Sequence, residues 1–584
     1  MNDNSKTILF VILLGSFFLV FRFLFGLSMF SSHDELQIYL IGLKSYLTET
    51  YPYYGPDIVY TNSQIPGGLQ GLLISWPLQW LGIPEAPYIL LNILSFFALL
   101  FFGWYLSKRI TNIPQWFIYI WLLTSPWTLH YSTHIENPSY ALLGSILFFV
   151  SIFELSGFYK SKIISSHVSF LMLGFSIFWI MQLHLSWVLT LPYFLWVCWR
   201  NKRDKKLFLK GMVYFVIGAS ISISTLLPTL IKGFGSGTIE NNIVFNHKNI
   251  LEIPNIILRF LMFASYELAR FIGHDTASRL DFLAKYVWLI PIAIFLLLAG
   301  FFQAGYFIFS FFRKNDLMEW SQVKQFTIAS LLLVSFSFLF SVTGPRSHTF
   351  YILYPVAIWY SFYCYGNLFK RKIQSIVMIF LAAGILFHVS LFIYHFEDRS
   401  LFAKRELVTK AISEKDYTLL AVRRESNVML TNRKPIWKTL NSFIRYADFE
   451  VENPYFKSQN IVNNIKYDGK FSCKVDSIQP FSISYSEKLE NLGNPKKVKV
   501  SFWAITTNIE DFILVYEVGG DEENNWNSKN IESANSQNKE WEFIELELDL
   551  PSYKPTESKL VLYFWMNNKS GAILNIDNWK LEFE

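Results

Sequence analysis

Apolar runs long enough to cross a bilayer fill the first two thirds of the chain and recur as far as residue 394; a spanning helix needs roughly 17–25 such residues. The first run, Thr7 to Phe30, is too long for a signal peptide and lacks its small-residue cleavage site, so it reads as a membrane anchor. Further spans are expected near 86–106, 114–130, 138–156, 167–182, 184–199, 208–231, 286–311, 326–343, 350–367 and 373–394, about eleven in all. The division between the fifth and sixth is open, because both are short. Directly after the anchor, Leu36, Leu40, Leu43 and Leu47 recur at helical spacing, with Gln37, Lys44 and Thr48 off that stripe, which predicts an amphipathic helix. Residues 395–445 are charged and mixed and read as a helical connector. From about 446 the period drops to two in "KVKVSFWAI", "FILVYEV", "WEFIELELDL", "KLVLYFWM" and "AILNIDNWKLEF". Clusters of Asn, Gly, Ser and Pro separate these runs, which predicts an antiparallel β-sandwich.

Composition sharpens this to an α-helical polytopic membrane protein carrying a C-terminal sandwich. Of 584 residues, 52% are hydrophobic and only 16% charged, far from a soluble average. If the spans alternate, SKR at 107–109, KSK at 160–162, RNKRDKK at 200–206, RK at 313–314 and KRK at 370–372 fall on one side. By the positive-inside rule that side is the cytoplasm. The loops at 31–85 and 232–285, the HIEN and TGPRSH turns and everything after 394 are then extracytoplasmic. The net charge of +6 belongs to those cytoplasmic loops and gives no reason to expect a nucleic-acid partner. Of three cysteines only Cys473 lies in the sandwich, so no disulfide within that domain and no zinc-ligand spacing is expected.

Ionisable side chains near membrane depth are costly and mark function, so their level matters. In this topology His33, His130, His134, His184, His247, His274, His348 and His395 fall at or beyond the outer ends of spans, together with Asp34, Glu35, Glu136 and Arg346. Only His167 lies toward the cytoplasm, and His388 falls inside the last span. Each residue also has a plainer reading. Ser32-His33-Asp34-Glu35 fits a capping box. Asn137 in "HIENPSY" would cap a helix opened by Pro138. His184 would satisfy an interhelical hydrogen bond, and Arg346 would snorkel to head groups. His247, His274 and His395 are expected to face solvent from loops. Capping explains the first turn but not four turns at one level, and capping and catalysis are compatible.

The order of these features over residues 1 to 394 resembles the GT-C glycosyltransferases, in particular protein O-mannosyltransferases and the aminoarabinose transferases of lipid A. The likeness rests on Asp34-Glu35 opening an amphipathic helix after the first span, the aromatic, Pro-rich "YPYYGPDIVYTNSQIPGGLQGLL", the turn "TSPWTLHYSTHIENPSYALL", and "GPRSHTFYILYP". Two departures stand out. Gln64-Ile65-Pro66-Gly67-Gly68 replaces a Pro-Pro that some relatives carry after a Lys, and Glu136 stands where Asp is common. Without that Lys, Arg346 becomes the candidate for the donor phosphate.

The resemblance implies a GT-C-like membrane fold. It also implies transfer of a sugar from a polyprenyl phosphate to a glycan, lipid or protein hydroxyl outside the cytoplasm, with inversion. A hydroxyl is a weak nucleophile and needs a base, for which Asp34 is the choice. A leaving phosphate needs positive charge or donors, from Arg346 with His348 or His184. Glu35 and Glu136 complete the catalytic set, and His33, His134 and Tyr351 line the acceptor side. Glu136 orients the acceptor or shares a divalent cation with Asp34, although the oxygen ligand set is thin for a hard cation. Because the donor implied is a lipid monophosphate, the Asp-x-Asp metal motif of nucleotide-sugar enzymes is not required, and no cofactor beyond a possible divalent cation is implied. The strand order of the C-terminal part, ending in "IDNWKLE", resembles a jelly-roll carbohydrate-binding module. The domain division expected is therefore 1–394 catalytic, 395–445 connector and 446–584 sandwich.

Three other functions compete. A lipid-linked glycan flippase or transporter would favour ionisable groups across the midplane and inverted repeats, and neither is visible in the sequence. A polymerase or ligase using lipid diphosphates would show an Arg-rich outer loop, whereas 232–285 is only modestly basic. A catalytically dead anchor for the sandwich would have no use for Asp34, Glu136 and Arg346.

Overall fold

The computed structural model describes the chain except residues 1–2, 29–32, 58–63, 233–244, 266–275, 314–318, 342–343, 367, 370–372, 399–404, 406–407, 411, 414–437, 442, 448, 450–460, 463–464, 469–471, 520–523, 532–539, 555–557 and 569–570. The side chains of a few further positions, His33, Asp34 and Leu36 among them, also lie outside the description. The chain divides into two compact units, Met1–Thr431 and Asn432–Glu584.

In the first unit the helices are α1 (Asp3–Leu27), α2 (His33–Thr48), α3 (Leu69–Leu81), α4 (Ala86–Arg109), α5 (Gln115–Thr124), α6 (Pro126–Thr133), α7 (Ala141–Leu155), α8 (Ser166–Met181), α9 (Thr190–Asn201), α10 (Lys205–Ile223), α11 (Leu227–Lys232), α12 (Ile253–Met262), α13 (Thr276–Lys285), α14 (Ile290–Phe312), α15 (Trp320–Phe338), α16 (Tyr354–Gly366) and α17 (Gln374–Asp398). A short hairpin of β1 (Tyr54–Asp57) and β2 (Gln64–Pro66) lies between α2 and α3. Among the described residues four helices are long and apolar enough to cross a membrane, Ala86–Arg109, Lys205–Ile223, Val287–Phe312 and Gln374–Phe396, and four more are shorter apolar helices. This is a mostly helical membrane protein.

Several expected spans break, for reasons written in the backbone. The run 114–130 divides because Ser125 is extended (φ −63°, ψ 144°) before Pro126, as a residue preceding proline prefers; Pro126 then opens α6 at a position that needs no N–H. The run 208–231 divides into α10 and α11. The runs 184–199 and 350–367 each begin with a 3₁₀ turn, Leu185–Leu189 and Ser347–Leu353, before α9 and α16. The loops expected at 31–85 and 232–285 contain α3, α12 and α13. Pro138 does not open a helix: α7 starts at Ala141, with Tyr140 at its N-cap position in place of Asn137. His395 is not in a loop but buried within α17.

The basic segments 107–109, 160–162 and 200–206 and Arg313 gather at one end of the bundle, while Lys314 and 370–372 lie outside the described residues. Arg109 donates to the Ser161 carbonyl (2.9 Å) and pairs with buried Glu154, with its guanidinium 3.7 Å from the centre of the Tyr159 ring. Asn201 donates to the Leu155 carbonyl (3.0 Å), the Tyr159 and Tyr363 hydroxyls meet at 3.2 Å, and Trp320 Nε1 donates to the Arg313 carbonyl. Because α7 runs from 141 to 155 and α8 from 166 to 181, the turns at 134–140 and 182–189 lie at the other end.

The second unit is two antiparallel sheets. One has the order β10-β9-β12-β7, with β7 (Tyr485–Lys488), β9 (Phe512–Gly519), β10 (Asn524–Asn530) and β12 (Lys559–Met566). The other has the order β11-β8-β13-β4-β3, with β3 (Lys438–Asn441), β4 (Ile444–Ala447), β8 (Lys497–Thr506), β11 (Glu542–Asp549) and β13 (Leu574–Phe583). Strand β6 (Ser472–Val475) joins β13 and carries β5 (Ile461–Val462). Phe502, Phe564 and Trp579, drawn from both sheets, meet in the core at centroid distances of 4.7 and 4.8 Å. Pairing starts at Lys438, so the sandwich takes in the end of the segment read as connector.

Helices α8 and α10 touch through glycine. A Cβ on Gly218 would fall onto the Leu171 carbonyl, and one on Gly174 onto that of Phe215, the close backbone approach that small residues allow in membranes. Gly218→Ala is therefore expected to cost ~1–3 kcal/mol, the usual range for overpacking. Gly305→Ala, where a Cβ meets nothing within 4 Å, should leave stability unchanged. Thermal melting of the two purified variants checks this, and equal melting temperatures would contradict the close approach.

In the sandwich, Arg445 grips Glu487 with two hydrogen bonds of 2.9 Å. Burial alone would raise the Glu487 carboxyl; Arg445, joined by the Tyr485 hydroxyl, holds it below its ordinary value. A depressed carboxyl stabilises the fold above the unfolded pKa, and that stabilisation is lost as pH falls through the folded value. A protein spanning 432–584 is expected to melt cooperatively, less stably as pH drops from about 5 to 3. Glu487→Gln should flatten part of that fall. Absence of a cooperative β-type transition in circular dichroism would contradict the assignment.

Candidate functional site

The candidate residues sit at the end of the bundle opposite the basic segments. Glu35 is wholly buried in the first turn of α2. Its Oε1 accepts from the Tyr88 hydroxyl of α4 (2.7 Å) and from the Ile135 backbone N–H (3.2 Å). A carboxylate removed from water needs such donors. The bonds bring α2, α4 and the HIEN turn to one place, so Glu35 is a positioning residue here. The side chains of His33 and Asp34 are outside the described residues, although the backbone places both in the same first turn of α2. Ser32, the expected cap, is also outside the description.

In the HIEN turn, Glu136 is partly exposed and its Oε2 lies 3.9 Å from His130 Nε2. Its backbone N–H donates to the His134 carbonyl (2.9 Å) and to Ser139 Oγ (3.2 Å), which fixes the turn. His134 is buried, with Nδ1 2.9 Å from Thr133 Oγ1. Burial, then the neighbouring His395, lowers its imidazole to about 3, so it is neutral at physiological pH.

Two further turns meet beside this one. His184, between α8 and α9, accepts from the Ser186 N–H at Nδ1 (3.1 Å), with Ser186 Oγ at 2.6 Å. With Nδ1 accepting, the ring proton sits on Nε2, where it is a donor. Burial, then the neighbouring His348, lowers His184 to about 3; the 3₁₀ turns Leu185–Leu189 and Ser347–Leu353 pack against each other. His348 is half-buried, while Arg346 is exposed and its guanidinium has no hydrogen-bond or ion-pair partner among the described residues. Tyr351 is buried and donates to the Trp127 carbonyl (3.3 Å), its ring 5.2 Å from that of Tyr131. It ties the Arg346 turn to α6, the helix that leads into the HIEN turn.

Arg22 was not singled out by the sequence reading. It is fully buried in α1, and its guanidinium donates to the carbonyls of Leu123 (3.0 Å) and Thr128 (3.4 Å) and to the hydroxyls of Ser132 (2.7 Å) and Ser95 (3.3 Å). Of these, the Leu123 carbonyl lies in the last turn of α5, where the break leaves carbonyls without helical partners. A lone Arg inside "FFLVFRFLFG" was the signal, since a charge at that depth demands partners.

Among the described residues no three His, Cys, Asp or Glu side chains are grouped to hold a metal ion; Asp34 and His33 stand outside that set. The described residues offer buried neutral imidazoles and one unpaired guanidinium, a surface able to accept an anion and to place donors around it.

Replacing Glu35 separates its two possible duties. Glu35→Ala would leave the Tyr88 hydroxyl and the Ile135 N–H without their acceptor, a loss of ~1–3 kcal/mol for buried groups, whereas Glu35→Gln keeps one acceptor oxygen. Melting of the detergent-solubilised protein is expected to fall clearly for Ala and little for Gln. Equal stability of Glu35→Ala and the wild type would remove Glu35 from this positioning role.

No family model matches the sequence, and neither does any curated protein. Among solved structures, the chain aligns with the arabinosyltransferase EmbB from Mycobacterium smegmatis at 9% identity and a TM-score of 0.29, covering 97% of this chain and 64% of that one. It also aligns with a family 16 carbohydrate-binding module at 13% identity and a TM-score of 0.16, covering 25% of this chain and 89% of that one. At these scores neither alignment bears on fold or chemistry.

Proposed function

We propose that the protein is a multi-pass membrane glycosyltransferase that moves a sugar from a polyprenyl phosphate to an extracytoplasmic hydroxyl of a glycan, lipid or protein. The observation that carries this reading is the meeting of turns at one end of the bundle: Glu35 bonded to the HIEN turn, Tyr351 bonded to α6, and His184 beside His348. The gathering of the basic segments at the other end supports a cytoplasmic placement for that end by the positive-inside rule. The transferase site and the sandwich are then extracytoplasmic.

In this reading the acceptor O–H gives its proton to the Asp34 carboxylate as its oxygen attacks the anomeric carbon. The anomeric C–O bond to phosphate breaks with inversion, and the lipid phosphate leaves carrying the electron pair. Arg346 meets the developing charge, with His348 and the Nε2–H of His184 as further donors. Glu35 holds the Asp34 turn against the Glu136 turn, and Glu136 with His33 and His134 borders the acceptor. A divalent cation shared by Asp34 and Glu136 is the alternative role for that pair.

The test is release of polyprenyl phosphate from a panel of polyprenyl-phosphate sugars by the purified protein. Asp34→Asn keeps shape and capping but removes the base, and turnover should fall by ~10²–10⁴ with nearly normal donor binding. Arg346→Lys keeps the charge but loses the planar fork, so donor binding should weaken as well. Near wild-type turnover of Asp34→Asn would sink the catalytic assignment. Labelling of a cysteine placed at Ser161 from outside intact cells would sink the orientation.

A further inference from the structure

The segment 245–262, which the sequence places in an outer loop, leaves an apolar face exposed. A 3₁₀ turn, His247–Glu252, runs straight into α12, and helical spacing sorts the residues onto three faces. Asn249, Ile256 and Phe260 are buried, and α12 packs on α14, α15 and α16. Lys248, Glu252, Asn255 and Arg259 form a polar edge, along which Asn255 Nδ2 donates to Glu252 Oε2 (3.1 Å). Ile250, Leu251, Pro254, Ile257 and Leu258 make the third face, and all are exposed, Leu251 by 83%. A helix packed on a water-soluble core turns its polar face outward; here aliphatic side chains point out. Hydrogen bonds fix the level of the segment. The Asn246 N–H donates to the Leu339 carbonyl (2.7 Å), and Asn249 Nδ2 donates to the carbonyls of Phe338 (2.8 Å) and Ser341 (3.2 Å). These carbonyls follow the C-terminal turn of α15, a helix that starts at Trp320 beside Arg313 and so ends opposite the basic segments. Along α15, Ile328, Leu332 and Phe336 are exposed at intervals of four residues, and Phe340 continues the stripe. Phe336 meets Phe340 at 5.3 Å and Phe340 meets Phe245 at 5.8 Å, which carries the apolar surface of α15 onto the segment. The segment also touches the candidate site. A Cβ on Gly344 would lie 3.7 Å from Asn249 Oδ1 and 3.8 Å from Glu252 Cγ. Phe263, just beyond α12, packs on Phe350 and Tyr351 of the Arg346 turn at 5.5 and 5.6 Å.

We infer that the outward face of 245–258 is seated in the bilayer, at the boundary between acyl chains and head groups, with phospholipid as its partner. At ~1.5 Å per residue, the 10 residues of α12 reach about half of the roughly 30 Å hydrocarbon core. A short helix with one apolar face and one polar edge lies on a membrane rather than across it. Continuity with the exposed stripe of α15 favours lipid over a protein partner, because lipid already borders that stripe. A stable protein partner would instead have to cover roughly 1,000 Å² or more around five aliphatic side chains. In this placement the turn that carries Arg346 is held at head-group level by a helix that rests on lipid.

The inference stands apart from the transferase reading, because its test needs neither donor nor turnover. Leu251, Leu258, Lys248 and Leu298 are each replaced by photoreactive p-benzoylphenylalanine in the full-length protein. The variants are reconstituted in nanodiscs of phosphatidylethanolamine and phosphatidylglycerol, irradiated and analysed by mass spectrometry. Phospholipid adducts should form at Leu251 and Leu258, as they should at Leu298 on the exposed face of the spanning helix α14. The adduct should be lost or much reduced at Lys248 on the polar edge. Melting unchanged from that of the wild type shows that each variant is folded, and these exposed side chains have little packing to lose. Attachment of positions 251 and 258 to a peptide of the same chain or to a second copy, in place of lipid, would overturn the inference. So would phospholipid adducts at Leu298 with none at either Leu251 or Leu258.

Discussion

A carboxylate enclosed at the end of a helical bundle has to be met by donors, and Glu35 shows what that requirement organises. Its two described bonds come from elements far apart in sequence, the Tyr88 hydroxyl of α4 and the Ile135 N–H. Losing either would expose a buried charge to a low-dielectric surrounding. The first turn of α2, which also bears His33 and Asp34, is thereby fixed against the turn bearing His134 and Glu136. Arg22 meets the same constraint one layer deeper. It binds neutral oxygens beside the α5–α6 junction, the Leu123 carbonyl at the end of α5 and the Thr128 carbonyl and Ser132 hydroxyl of α6, so a buried cation is satisfied next to the break at Ser125-Pro126. Backbone groups freed inside a membrane protein need such partners.

The two ends of the bundle therefore differ chemically. At one, Arg109 is spent on Glu154, the Ser161 carbonyl and the Tyr159 ring. At the other lie buried imidazoles and the Arg346 guanidinium, which has no partner among the described residues. Buried neutral histidines can donate or accept without adding to the charge. That asymmetry suits a reaction whose leaving group is anionic and whose nucleophile begins as a neutral hydroxyl.

How far the sequence disclosed this depends on the element. Helices α4 and α17 were legible because their apolar runs are long and end in charged residues, "SKR" and "HFED". The division of 114–130 was not, because apolar residues continue across Ser125-Pro126 and hydropathy averages over the backbone break. Helix α3 was hidden by its loop-like neighbours Pro66-Gly67-Gly68, although Leu69–Leu81 is itself apolar. In the sandwich, β8, β11 and β13 were legible from alternation, and β12, "KLVLYFWM", from a short apolar run rich in aromatic residues. Strand β10, "NNWNSKN", was not, since an edge strand has little to bury. For the candidate site, polarity at one level picked out turns that the structure brings to one end of the bundle, but it did not separate Glu35, which holds turns together, from Arg346, which has no partner among the described residues. That distinction lies in tertiary contacts, and so does the duty of Arg22.

The most direct measurement is a structure of the protein in nanodiscs with a non-transferable polyprenyl-phosphate sugar bound. The account predicts the phosphate against Arg346 and within reach of His348 or His184, with the anomeric carbon turned toward the Asp34 turn. A phosphate lodged among the basic segments near Arg109 and Arg313, at the opposite end of the bundle, would contradict it.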